Sequence, residues 1–179
     1  MKDDSFDCTL IAHLRIFLLF YRLLYCLILP ENRLFFGIWK VVEIDFSILN
    51  KYEMTRKGSK VAIVGLGTFY GLGNDVADLM KEKAGIDATV INPYYITGLD
   101  EEMLEDLKKD HSVVITLEDG ILDGGFGEKI ARFYGDSHMK VLNFGLKKEF
   151  LDRYDVTEVL KDNHLTKEQI VEDVARILA

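Results

Sequence analysis

From Gly58 onward the chain alternates short β-branched runs with longer stretches whose apolar residues recur at helical spacing. Lys60–Val64 (KVAIV) predicts a buried strand, and Gly71–Lys83 a helix with Leu72, Val76, Leu79 and Met80 on one face, stopped by Gly85. Ala88–Ile91 predicts a second strand. Asp100 opens a helix whose early acids Glu101 and Glu102 suit the helix dipole and whose core face is Met103, Leu104 and Leu107. Ser112–Leu117 reads as a third strand, Gly127–Tyr134 as a helix and Met139–Phe144 as a fourth strand. Two closing helices are predicted. One covers Lys147–Tyr154; the other covers Thr166–Leu178, with Thr166 as N-cap, Glu168 and Gln169 in the first turn, and a face of Ile170, Val174 and Ile177.

Strands alternating with helices of this length imply an α/β fold, doubly wound, with a mostly parallel sheet flanked by helices. In such a sheet, ligand or partner contacts belong at the carboxyl ends of the strands.

The first forty residues do not share this rhythm. Leu10–Leu29 is a twenty-residue apolar run, the length that spans a bilayer. Its thirteen Leu, Ile and Phe favour insertion by about 4–8 kcal/mol, but a near-central Arg22 costs about 3, and Arg15 and His13 oppose it further. Lys2, Asp3, Asp4 and Asp7 precede the run, so it lacks the basic start of a secretory signal. The domain reading is therefore an apolar segment at 1–40, either membrane-associating or foreign to the genuine reading frame, a lead-in linker at 41–57 and the α/β domain at 58–179. Any membrane contact would come through Leu10–Leu29 alone, and the localisation expected of the α/β domain is cytoplasmic.

Charge narrows the partners. The chain carries a net charge of −8, and residues 41–179 hold 17 basic against 26 acidic residues. An acidic domain without a basic stripe lacks the electrostatic footprint of nucleic-acid binding, which is excluded. Both cysteines, Cys8 and Cys26, precede the α/β region, and the four histidines form no ligand-like spacing, so neither a disulfide framework nor a metal site is expected.

Three motifs remain. The first strand runs into Gly65, Gly67, Gly71 and Gly73 with a GxGxxxG spacing, one residue longer than the dinucleotide fingerprint, and Asn92 stands where a ribose-binding acid would be wanted. Close packing of helix on strand accounts for the same letters, leaving a dinucleotide-binding domain as the lesser alternative. The second motif runs from Thr116 to Gly127 (TLEDGILDGGFG), with three carboxylates and four glycines just past a strand end. Its backbone N–H groups could hold an anion, and paired carboxylates can serve acid–base chemistry, but the loop contains no His, Cys or Lys. It reads as a strand-to-helix turn at a subunit contact, with Glu118, Asp119, Gly124, Gly125, Phe126 and Gly127 as interface residues. The third, Ile91–Asp100, is a Pro-bearing loop in which adjacent Tyr94 and Tyr95 suggest packing or contact.

In order and spacing these segments resemble the C-terminal domain of the transketolase superfamily: a "vaIvglGt" strand, a helix, a strand ending in xP, a "PLD" helix start, a "vtlEe" strand and a "GGfG" helix. Gly145-Leu146, Phe150, Leu160 and His164-Leu165-Thr166 with Ile170 look like the "Glpd.F…L…GL…I" ending of the 1-deoxyxylulose-5-phosphate synthase branch. Residues 44–59 resemble the lead-in to that domain. Where the synthase pattern commonly reads DxRFxKPLD, this chain has Asn92, Tyr94, Tyr95, Thr97 and Gly98 before Leu99-Asp100. The resemblance implies a transferase family that joins pyruvate-derived hydroxyethyl to glyceraldehyde 3-phosphate, feeding isoprenoid and thiamine precursors. It also implies thiamine diphosphate and Mg held by two other domains, one of them bearing a GDG…N motif. That motif does not occur here, so no catalytic, cofactor-binding or metal residue is assigned to this chain. The resemblance further implies a homodimer, or association with thiamine-diphosphate-binding domains on another chain, and no activity for this domain alone.

Overall fold

A computed structural model describes residues 49–150 and 152–178. The expectations for residues 1–40, the Leu10–Leu29 run included, fall outside the described residues. Among the described residues no helix is long and apolar enough to cross a membrane.

Ten elements follow in order: β1 (Glu53–Arg56), β2 (Lys60–Gly65), α1 (Phe69–Ala84), β3 (Thr89–Asn92), α2 (Glu101–Leu107), β4 (His111–Ile121), α3 (Phe126–Phe133), β5 (Lys140–Leu146), α4 (Val156–Asp162) and α5 (Lys167–Leu178). The sheet order is β1-β3-β2-β4-β5. β3, β2, β4 and β5 run parallel, and β1 lies antiparallel on β3. The doubly wound, mostly parallel sheet expected from the sequence is thus observed.

Alternation along β2 sends Val61 and Ile63 into one core and Ala62 and Val64 into the other. The first core packs Val76 and Met80 of α1 with Ile170 and Val174 of α5; the second packs Leu104 and Leu107 of α2 with Ile130 of α3 and Tyr134. Full burial of each such aliphatic side chain contributes about 1.5–3 kcal/mol.

Caps set the helix ends. Gly85, at φ +64°, closes α1 with its N–H bonded to the Lys81 carbonyl. Asp100 is the N-cap of α2 and accepts from the Met103 N–H at 3.3 Å. Its other carboxylate oxygen takes the Tyr52 N–H at 3.0 Å, tying the approach to β1 to the start of α2.

Two elements differ from the sequence reading. Residues 53–56, inside the stretch read as a lead-in, form the edge strand β1. The helix predicted over Lys147–Tyr154 is absent: residues 147–150 and 152–154 are not helical, and the helix lies one step later, at Val156–Asp162. Asp155 supplies the physical reason, since its carboxylate accepts the N–H groups of Thr157 at 2.8 Å and Glu158 at 3.1 Å and fixes the first turn there. Phe150 meanwhile finds no core and is fully exposed.

Candidate functional site

The sheet reverses its winding between β2 and β4, so the crevice where a ligand would sit in this fold class lies between their carboxyl ends. Here that crevice is stitched shut. The Leu66 N–H donates to the Leu117 carbonyl at 2.9 Å, and the Thr68 hydroxyl donates to the Asp119 carboxylate at 3.2 Å. A Cβ on Gly65 would stand 2.8 Å from the Tyr70 Cα, so the glycine lets α1 close directly onto the strand. This is the close packing that the off-spacing glycines suggested, rather than a cradle for a dinucleotide pyrophosphate.

β4 runs on to Ile121, so Glu118 and Asp119 lie within the strand rather than just past its end as the sequence suggested, and Glu118, 5% exposed, organises the turn into α3. One carboxylate oxygen accepts the Phe126 N–H at 2.9 Å and the other accepts the Gly127 N–H at 3.3 Å. These are the free donors at the start of α3, so the anion that the sequence allowed at this helix N-terminus is the chain's own side chain. The approach is close enough to forbid a Cβ: one on Gly125 would lie 2.5 Å from Glu118 Oε1. Gly127 is confined by Thr116 Oγ1 at 2.6 Å and the Asn143 side chain at 2.7 Å from its own would-be Cβ. The Thr116 hydroxyl donates to Asn143 Oδ1 at 2.9 Å, which bridges β4 and β5 beneath the same turn. Gly124, at φ +77°, supplies the left-handed step that reverses the chain.

The six expected interface residues therefore divide. Glu118, Gly125, Phe126 and Gly127 come together in one intramolecular cap, with Phe126 packed edge-on against Tyr52 at a 6.2 Å centroid distance. Asp119 and Gly124 are exposed. Among the described residues the third carboxylate of the motif, Asp123, reaches only Lys148, at 3.9 Å. Sequence reasoning placed Thr116 at the start of the motif and Gly145 in the family resemblance but gave neither, nor Asn143, a part in this cap; a would-be Cβ on Gly145 lies 3.1 Å from Glu118 Cγ. Their signal is faint, being three small or polar residues within otherwise apolar strands.

Past the carboxyl end of β3, Tyr94 is exposed and Tyr95 half-buried, and both line an open cleft with Lys51, Tyr52 and Glu53. The Tyr94 hydroxyl donates to the Glu53 carboxylate, which holds the phenol above its ordinary pKa. Burial pushes the Tyr52 phenol up to about 12.

A thiamine diphosphate–metal pair needs free carboxylate and amide oxygens around the ion and donors for the phosphates. Both oxygens of Glu118 are occupied by backbone N–H groups, and among the described residues no group of three His, Cys, Asp or Glu is placed to hold a metal. The described residues do not fit that cofactor.

Comparison with known proteins decides the family. The family described as "Transketolase, C-terminal domain" matches residues 50–170. The chain belongs to that family. As a transketolase C-terminal domain it is similar to the 1-deoxy-D-xylulose-5-phosphate synthase of Clostridium tetani, with 31% identity over 130 residues, covering 72% of this chain and 21% of the relative. It is similar to the same enzyme of Crocosphaera subtropica, with 35% identity over 131 residues, covering 72% and 20%. The chain thus spans about a fifth of the length of these curated relatives. Among solved structures, "Split gene transketolase, inactive beta4 tetramer" superposes with a TM-score of 0.63 at 22% identity, over 71% of this chain and 42% of that one. A transketolase from Pichia stipitis gives 0.51 at 19% identity, over 71% and 18%. At these identities the two structures establish the fold of the transketolase C-terminal domain and nothing finer.

Proposed function

We propose that this chain is the C-terminal part of a 1-deoxy-D-xylulose-5-phosphate synthase, present as a fragment or a separately encoded subunit, that supports assembly of the enzyme and is inactive alone. The observation carrying this reading is the identity of about a third to synthases over the transketolase C-terminal domain, with four fifths of the synthase length unmatched. In this reading a complementing chain holds thiamine diphosphate and Mg and performs the transfer from pyruvate to glyceraldehyde 3-phosphate that supplies isoprenoid and thiamine precursors. The complex is cytoplasmic, and this domain contributes a dimer or subunit contact in which the exposed Asp119 and Gly124 of the capped loop take part. A transketolase encoded by a split gene is among the structural neighbours, which supports separate encoding of such a domain as a workable arrangement.

The test is reconstitution. The purified chain is expected to form no 1-deoxyxylulose 5-phosphate and to bind no thiamine diphosphate by calorimetry. Mixing it with a chain carrying the two other synthase domains should give turnover. Micromolar cofactor binding by this chain alone would overturn the fragment reading, whereas inactivity with and without the complementing domains would favour a non-catalytic interaction module.

A further inference from the structure

Past β5 the chain leaves the body of the domain. From Lys147 to Glu158 every described residue is exposed, and α4 contains no buried residue. Only Val159 and Leu160 turn partly inward before Leu165 rejoins the core. A seven-residue helix is well short of the roughly 12–15 residues at which an isolated helix becomes marginally stable in water, so α4 depends on packing that this chain supplies to it only at those two residues.

The limb so formed is apolar on its open side. Phe150 is fully exposed, Tyr154 and Val156 are more than half exposed, and Ile121, paired with Leu146 at the root of the limb, is exposed too. With aromatic side chains carrying about 150–250 Å² each, these four residues leave roughly 400–500 Å² of apolar surface open. One side of a standard interface buries about 800 Å², of which about 56–65% is apolar, and that is the same quantity. The limb therefore holds the apolar part of one half of a stable contact. A two-fold axis, the commonest symmetry among oligomers, supplies the other half from a second copy of the same limb.

Charge selects that second copy. Residues 147–162 hold four basic and five acidic residues, net −1. Subtracting them from the 17 basic and 26 acidic residues of 41–179 leaves 13 and 21, net −8, for the remainder. Two copies repel through their acidic bodies and meet with least repulsion limb to limb. Opposite signs also stand side by side, as at Asp152 and Arg153, and a two-fold contact inverts the order of such a pair, setting each cation against an anion of the other copy.

We propose that residues 147–162, with Ile121, form a self-complementary contact through which two copies of this chain associate. This deepens the dimer contact of the synthase reading and rests on that reading for its place in the enzyme, whereas self-association itself needs neither the cofactor nor the missing domains.

Sedimentation velocity of the full chain across the micromolar range tests it. The weight-average mass should climb from monomer toward dimer. Phe150→Ser combined with Tyr154→Ser should weaken the dimer by at least about tenfold, since each substitution falls on both halves of the contact. At dilution, where the chain is monomeric and Phe150 is exposed, the same variant should keep the circular dichroism and thermal midpoint of the parent. Arg153→Asp and Asp152→Arg should each weaken self-association, and an equimolar mixture of the two variants should associate more tightly than either alone, a rescue that unfolding cannot produce. A full chain that stays monomeric throughout would overturn the proposal, as would association indifferent to all four substitutions, which would place the contact elsewhere in the chain. Limb-dependent association in a chain that gives no turnover with the other synthase domains would support this contact while counting against the synthase reading.

Discussion

The Glu118 carboxylate, within β4, accepts the Phe126 N–H at the start of α3, so a strand side chain caps the helix that follows it. A charged acceptor on two buried donors is among the stronger hydrogen-bonding arrangements in a protein.

Removing it should therefore be costly. Glu118→Ala leaves two buried N–H groups unpaired and is expected to lose about 2–4 kcal/mol, with Glu118→Gln losing about 1–2, since it keeps one acceptor and forfeits the charge. Urea unfolding midpoints measure both. An unchanged midpoint for Glu118→Gln would show that the charge contributes nothing, and equal losses for the two variants would show that the retained amide oxygen contributes nothing.

The glycine that admits this carboxylate should be equally constrained. Gly125→Val is expected to destabilise by about 1–3 kcal/mol, because its Cβ would sit against Glu118 rather than because of backbone angles, which are extended and ordinary there. Gly120→Ala, with nothing within 4 Å of the new methyl, should stay within about 0.5 kcal/mol. Indistinguishable midpoints for the two would remove the steric account.

Alkaline stability should report two buried phenols. Tyr134 donates to the Leu104 carbonyl at 2.7 Å, and burial, with the Glu105 and Tyr52 charges, holds its pKa well above the ordinary 10. Tyr52 is raised to about 12 for the same leading reason. Because both folded-state values lie above the unfolded one, their stabilising contribution is complete below pH 10 and is lost as pH rises through the folded values. The thermal midpoint should accordingly fall between about pH 10 and 12, and less steeply in a Tyr52→Phe, Tyr134→Phe double variant. Parallel curves for the two proteins would contradict this.

Two phenylalanines should behave oppositely. Phe126→Ala, at a position 4% exposed, is expected to lose about 3–5 kcal/mol, and Phe150→Ser, at a fully exposed one, less than about 0.5. A large loss at Phe150 by chemical denaturation would mean that it is buried in solution, against a partner or a second copy.

Much of the fold was legible because parallel strands are covered on both faces and so appear as unbroken apolar runs. KVAIV at 60–64 and SVVITL at 112–117 each lie within an observed strand. β1 was not legible: EMTR has neither an apolar run nor alternation, and only its pairing with β3 makes it a strand. The predicted helix at Lys147–Tyr154 had no named core face or cap, whereas the stronger local signal was Asp155 three residues before Glu158, an N-cap with an acid in the first turn. Over Thr116–Gly127 the sequence showed three carboxylates and four glycines but not their partners, nor that the strand continues to Ile121. The partners of Glu118 are backbone N–H groups, which every residue but proline carries, so no pattern of letters distinguishes them.

The strand order has a consequence for synthesis. β2 is made early, yet five of its six residues are buried and it is walled on one side by β4, which begins at His111, 51 residues later than Lys60. At about 5–20 residues per second a ribosome takes roughly 3–10 s to supply that second wall. Throughout that interval KVAIV is an apolar, β-branched segment with one edge open. The nascent chain passes through its most aggregation-prone moment before β4 emerges, and chaperone contact with this domain should be concentrated there.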